Sequence, residues 1–228
     1  MKLFTAPLSM FGAKVQIAAL EKGLAFDCVM VPFDRDDRYE PKHPEVLRVN
    51  PKRQVPVLID GEVELFDSTQ IFEYLEDRFP EPALWPTGVA PRARARRLEL
   101  ESDELFFPHV IKLFGLQEAM QSEPAVAACA GCAAFYGRLE ALLADRDFLA
   151  GPYSFADIAF YMAQVFAERK GAPMTGATPR LLAWRERVGA RGPVREVVGA
   201  MMRSRQSSRR GVAPVIRAPL RSANTCAM

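Results

Sequence analysis

The stretch Asn50-Pro51-Lys52-Arg53-Gln54-Val55-Pro56-Val57-Leu58-Ile59-Asp60-Gly61-Glu62-Val63-Glu64-Leu65-Phe66-Asp67-Ser68-Thr69 limits the possible folds more than any other part of the chain. Pro56 removes a backbone donor where a strand begins, and a cis bond there would turn the main chain of Val55 outward. An extended peptide can pair with such an edge. Asp60-Gly61 is a two-residue hairpin signal between the apolar runs Val57-Leu58-Ile59 and Val63-Glu64-Leu65-Phe66. The helical pattern Ile71, Phe72, Tyr74, Leu75, Phe79 starts directly after Asp67-Ser68. Side-chain oxygens and free backbone N–H groups therefore meet at a helix N-terminus, where a small carboxylate is well received.

The elements before this block complete an order. Lys2 to Thr5 reads as a short strand, and Ser9 precedes a helix whose apolar positions include Val15, Ile17 and Leu20 and which stops near Gly23. Cys28 to Val31 reads as a second strand, and a short helix is expected at 44–49. The result is βαβ followed by ββα, a thioredoxin-like domain over residues 1–79. Residues 80–90 hold too many prolines for a helix interior and read as a linker. An all-helical domain is expected over 91–202, with segments near 92–121, 124–144, 155–169, 179–190 and 193–202, the first kinked at Pro108. Residues 203–228 carry Arg203, Arg205, Arg209, Arg210, Arg217 and Arg221 and no acid, and they read as a basic, poorly ordered tail.

Composition narrows the function classes. A 228-residue chain that is 49% apolar can bury one or two cores. It opens with no basic-then-apolar leader, and no apolar run approaches the ~18 residues of a membrane span, so a cytoplasmic, membrane-free protein is expected. Cys28, Cys129, Cys132 and Cys226 lack the spacing of a disulfide framework and read as thiols. Cys129-Ala130-Gly131-Cys132 lies in an Ala-rich helical run and reads as packing. With only His43 and His109 as histidines and no Gly-rich phosphate loop, neither a metal nor a nucleotide is expected. The net charge of +2 hides a mildly acidic body, because six arginines sit in the tail. A short basic tail without a folded aromatic platform does not make a nucleic-acid protein.

Asn50-Pro51, Gln54-Val55-Pro56, Asp67-Ser68 and the later Ser154-Phe155-Ala156-Asp157, in this order, resemble the cytosolic glutathione transferase superfamily, bacterial serine-using type, over roughly residues 1–202. The resemblance implies a homodimer that takes glutathione as co-substrate. Ser9, at the first turn of the first helix, would be the catalytic hydroxyl that stabilises the thiolate; its alternative role is a plain helix cap. Val55 would pair through its main chain with the cysteinyl unit, and Gln54 would touch the same peptide. Asp67 would meet the γ-glutamyl ammonium and Ser68 the γ-glutamyl carboxylate, the alternative for Asp67 being a capping pair with Gln70. Lys42, His43 and Arg53 are the candidate cations for the glycyl carboxylate, with Arg53 and Lys42 preferred.

An apolar electrophile would lie between Ser9 and the opening helix of the second domain, against Leu8, Phe11, Phe106, Phe107, Val110 and Phe114. Most of these side chains suit a core equally well. Ser154 and Asp157 form a capping box that starts a buried helix, which is a structural role. The expected function is attack of an activated glutathione thiol on small apolar electrophiles, with isomerase, dehalogenase or ether-cleaving variants possible. The competing reading is a noncatalytic module of the same fold that binds a ligand or a protein.

Overall fold

The computed structural model describes residues 1–32, 40 and 42–208, with side chains through residue 203. Four strands, β1 (Lys2–Thr5), β2 (Asp27–Met30), β3 (Val57–Asp60) and β4 (Val63–Phe66), form one sheet in the order β2-β1-β3-β4. β1 pairs parallel to β2, while β3 runs antiparallel to both β1 and β4. The parallel step requires a crossover, which α1 (Met10–Glu21) supplies. The β3-β4 hairpin turns one residue later than the Asp60-Gly61 signal placed it: Asp60 pairs with Val63, so Gly61-Glu62 is the two-residue loop, and the φ of 63° at its first position suits a glycine. α2 (Pro44–Val49) and α3 (Ser68–Arg78) complete this layer.

α1 is buried on nearly all sides because it is held between two layers. Val15 and Ala19 pack toward the sheet with Leu3, Leu58, Ile71 and Leu75. Met10, Ala13, Ile17 and Ala18 pack into the helical layer. A helix apolar all round belongs inside a protein, and this one carries the contact between the halves. Phe72 of α3 stacks on Phe155 with ring centroids 3.7 Å apart, and Trp85 meets both rings edge-on. Each such aromatic pair is worth roughly 0.5–1.5 kcal/mol beyond its buried area.

The helical layer comprises α4 (Val89–Glu101), α5 (Phe107–Phe114), α6 (Glu123–Leu142), α7 (Phe155–Arg169), α8 (Pro179–Gly189) and α9 (Gly192–Ser208). Between α4 and α5 the chain makes a π-helical turn over Ser102–Phe106. Pro108 follows it and lacks the N–H that a regular helix would direct at the Glu104 carbonyl, which accounts for a break at this place. The first helical segment, expected to run to about residue 121 with a kink at Pro108, instead stops at Phe114, with Gly115 at its C-cap. At the other end α9 runs to Ser208, into the segment that sequence assigned to the tail, since neither Gly nor Pro interrupts 203–208. Residues 209–228 lie outside the described residues.

α7 is the central helix of this layer, and Asp157 anchors its start. The fully buried carboxylate accepts from the backbone N–H of Ser154 (2.9 Å), the hydroxyl of Ser154 (3.2 Å), the backbone N–H of Leu149 (2.9 Å) and Trp184 Nε1 (2.8 Å). Burial pushes its pKa up to about 6 against the pull of these donors. α6 differs from the sequence expectation: Glu123–Asp145, with mean hydropathy 1.3, is long and apolar enough by composition to cross a membrane. Alanines dilute its polar residues, and its Ala125, Ala128, Cys132, Tyr136 and Leu139 face packs into the core.

Candidate functional site

Ser9 is the N-cap of α1. Its Oγ accepts from the Gly12 amide at 3.0 Å, and its backbone is extended (φ −89°, ψ 110°). A serine hydroxyl has one proton and two lone pairs, so accepting from Gly12 leaves the proton available to donate outward. Ser9 is only partly buried, and it lies at the positive end of a twelve-residue helix. Cap and thiolate donor are therefore compatible at one atom.

Asn50 builds the loop that carries the peptide edge. Its side chain is 3% exposed; Nδ2 donates to the Gln54 carbonyl at 2.6 Å and Oδ1 accepts from the Lys52 amide at 2.9 Å. Its own carbonyl accepts from the Arg53 amide at 2.8 Å. Arg53 takes a left-handed φ of 56°, and the Val55-Pro56 bond is cis. Val55, half-buried, is left at the start of β3 with Gln54 exposed beside it. Lys42 pairs with Glu40 at 3.2 Å, and the Glu40 carboxyl is held below its usual range, first by that hydrogen bond and in smaller part by Arg53. Lys42 and Arg53 thus share one carboxylate neighbour. His43 is otherwise engaged: its Nδ1 accepts from the Glu45 amide at the cap of α2, and its ring lies 4.8 Å from that of Phe4.

Asp67 caps α3. Its Oδ1 accepts from Thr69 N at 3.0 Å and Gln70 N at 3.4 Å. Ser68 is buried at the first helical position, where an amide has no intrahelical acceptor. Asp67 has φ 76°, a conformation that costs a non-glycine residue about 1–3 kcal/mol and persists only where the surroundings enforce it.

Beneath α3 lies a buried charged group that the sequence reading did not single out. Lys14 Nζ, fully buried, lies 2.8 Å from Glu99 Oε1 and 2.5 Å from Asp103 Oδ2. Thr69 Oγ1 donates to the same Glu99 oxygen at 2.8 Å. Burial alone would lower the Lys14 pKa, but the two carboxylates outweigh it and raise it. Burial pushes Asp103 up to about 6 despite Lys14, with the charges of Glu99 and Asp67 adding to the rise. Asp103 Oδ1 and Ser102 Oγ, both on the π-helical turn, are buried without a hydrogen-bond partner. Two signals for this group were visible in the sequence: a lone lysine inside the apolar run of α1, and two acids one helical turn apart.

The apolar wall is only partly where sequence placed it. Phe106 and Val110 have no exposed surface, and Phe106 packs against Phe135, Tyr136 and Phe160, so neither faces a substrate. Burying them is what lets α5 close the core after the π-helical turn. Leu8 and Phe11 are half-buried near Ser9, and Phe11 meets Phe107 edge-on at 5.6 Å. Phe107 itself is 6% exposed, while Phe114 is 44% exposed and stacks on Phe166. Two surface cavities, of about 360 and 180 Å³, are lined by the 143–147 turn with α8 and by α4 with α6; neither touches Ser9. Among the described residues no group of three or more His, Cys, Asp and Glu side chains could hold a metal ion.

A thioredoxin-like layer with a cis Val-Pro edge and a capped Asp-Ser helix start, followed by a helical layer, defines a class. Residues 3–83 match the family model "Glutathione S-transferase, N-terminal domain". A glutathione S-transferase structure from Rhodospirillum rubrum F11 superposes with a TM-score of 0.74 at 26% identity, covering 86% of this chain and 90% of that one. Residues 3–83 thus carry a glutathione S-transferase N-terminal domain, and the chain as a whole has the fold of that solved glutathione S-transferase. It is 32% identical over 125 residues to a stringent starvation protein A homolog of Coxiella burnetii, covering 54% of this chain and 56% of that protein. It is 41% identical over 97 residues to a maleylacetoacetate isomerase of Pseudomonas aeruginosa, covering 42% and 45%. The chain thus spans about half the length of the curated relatives it matches.

Proposed function

We propose that this protein is a serine-using glutathione transferase, in which Ser9 donates to the glutathione sulfur and holds it as thiolate for attack on an electrophile. The observation that carries the reading is that Ser9 Oγ accepts from Gly12 N while keeping a proton to donate at a helix N-terminus. A thiol with pKa near ~8.5 is mostly protonated at neutral pH, and each unit of depression needs only about 1.4 kcal/mol of preference for the thiolate. One hydroxyl and one helix end suffice for a depression of that order. Glutathione would lie along Val55, with its γ-glutamyl end at Asp67 and Ser68 and its glycyl carboxylate toward Lys42 and Arg53. Asp67 is among the charges that raise the Asp103 carboxyl, so a second acid lies within electrostatic reach of the proposed ammonium site. Leu8, Phe11 and the edge of Phe107 are the apolar surface nearest the sulfur. A cytoplasmic homodimer is part of the same reading.

A noncatalytic role is supported by the relatives named stringent starvation protein A homologs and by the inward turn of Phe106 and Val110. One experiment separates the two. The protein is titrated with glutathione in a calorimeter, and thiolate absorbance of the complex is followed against pH for the native chain and Ser9→Ala. A depressed thiol pKa that returns toward the free value in the variant supports catalysis through Ser9. Binding with an unshifted thiol moves the assignment to the noncatalytic module, and absence of binding removes the glutathione site altogether.

A further inference from the structure

Gly12 is the third residue of α1, and its amide is the group that Ser9 Oγ accepts from. It is buried against Thr5, the last residue of β1. A Cβ on Gly12 would stand 1.9 Å from Thr5 Oγ1, 3.0 Å from Thr5 Cβ and 3.1 Å from Ser9 Oγ. Thr5 is fully buried and β-branched, and its Oγ1 is in reach of Gln16 Nε2 at 3.4 Å, so it has little freedom to turn away. Only a glycine allows the first turn of α1 to lie this close to β1. No φ requirement explains the glycine, since α1 is regular here and Gly12 is not among the residues with positive φ.

We infer that Gly12 is a positioning residue: its contact with Thr5 sets the height of the first turn of α1, and thereby the place of Ser9 Oγ, above the strand that precedes it. This rests on the thiol-activating role proposed for Ser9. A side chain at position 12 has to move the helix start away from Thr5, and it also presses on Ser9 Oγ directly. Reactions that depend on a held geometry lose about 100-fold in rate for a misplacement of about 1 Å. The peptide edge at Val55 and the α3 cap lie on other elements and keep their places, so glutathione affinity should suffer far less than thiol activation.

The test compares the native chain with Gly12→Ala, Thr5→Val, Thr5→Ala and the double variant Gly12→Ala with Thr5→Ala. For each, the crystal structure, glutathione affinity, kcat, KM and thiol pKa in the complex are measured. Gly12→Ala should displace Ser9 Oγ from β1, raise the thiol pKa by about one unit or more, and lower kcat at least tenfold with a small change in affinity. Removing the Thr5 hydroxyl and methyl in the double variant takes away the 1.9 Å approach and leaves the 3.0 Å one to Cβ, so most of the loss should be recovered. Thr5→Ala alone is the reference against which the double variant is read. Should Gly12→Ala not fold, Thr5→Val puts a larger methyl against the same helix turn and should raise the thiol pKa in the same direction.

Variants that melt earlier but keep both the Ser9 position and the thiol pKa would show a packing glycine and overturn the inference, as would a double variant no better than Gly12→Ala. If Ser9→Ala leaves the thiol pKa unchanged, the activation reading fails instead, and the role of Gly12 is then decided by the displacement of Ser9 Oγ alone.

Discussion

Lys14 Nζ on α1 is paired with Glu99 Oε1 on α4 at 2.8 Å, across the boundary between the sheet layer and the helical layer. Glu99 also accepts from Thr69 in the first turn of α3, so one carboxylate ties α1 and α3 to the second layer. Two acids and one base share this interior, with Asp103 as the second acid. An unpaired charge left in such a place is expensive, whereas a balanced pair is not.

Replacing Lys14 with Met leaves Glu99 and Asp103 facing each other without a cation. The expected destabilisation is about 3–5 kcal/mol, the usual result of removing one partner from a buried pair. Urea unfolding followed by tryptophan fluorescence measures it, and a loss below about 1 kcal/mol would show that water reaches the group freely.

Asp103→Asn should behave oppositely with pH. The folded-state pKa of Asp103 is raised from 3.8 to about 6, so the folded protein binds more protons than the unfolded chain between these values. Stability from this group therefore falls as pH rises from about 4 to 6, and its ionised form weighs against folding above that window. The variant lacks this titration and keeps the Lys14–Glu99 pair. The stability of the native chain relative to Asp103→Asn should drop across pH 4–6 and level off above, as thermal melts of both in matched buffers would reveal. A flat difference would mean that Asp103 titrates normally.

Much of this was legible from sequence because it rests on local chemistry. Asp60-Gly61, the caps at Ser9 and Asp67, and Ser154 with Asp157 announce turns and helix starts through their own side chains. For Asp67 the structure shows the capping alternative, with Oδ1 accepting from the Thr69 and Gln70 amides and the residue exposed to solvent. What stayed hidden depends on packing between segments distant in sequence. Lys14 meets acids 85 and 89 positions away. Phe106 and Val110 share the helical periodicity of a pocket wall, and only the π-helical turn decides that they face inward.

Asn50 illustrates a residue recognised by motif but not by role. Its side chain closes the 50–54 loop with a donor and an acceptor bond, and that loop delivers the Val55 edge. Asn50→Ala should cost about 1–3 kcal/mol, the range for leaving buried partners unpaired. If the edge binds glutathione, KM should rise more than kcat falls, and Asn50→Asp should recover less than half of the effect because it cannot donate to the Gln54 carbonyl. Equal losses in both constants would place the loop's role in the reaction step rather than in binding.

The cysteine pair of α6 gains its explanation from the glycine between its members. A Cβ on Gly131 would stand 2.4–2.6 Å from three ring atoms of His109, so α5 and α6 approach each other through a bare backbone at this point. Cys132 is buried, and its surroundings push the thiol up to about 12, which leaves almost no thiolate at neutral pH. Gly131→Ala should therefore destabilise by about 1–3 kcal/mol through overpacking, whereas Cys132→Ala should keep glutathione binding and turnover per folded molecule. Thiol-reagent kinetics on the native chain provide the matching check. Slow labelling of Cys132 that speeds up only with denaturant fits a packing role, and rapid labelling or disulfide formation with Cys129 in the folded protein would return the pair to redox chemistry.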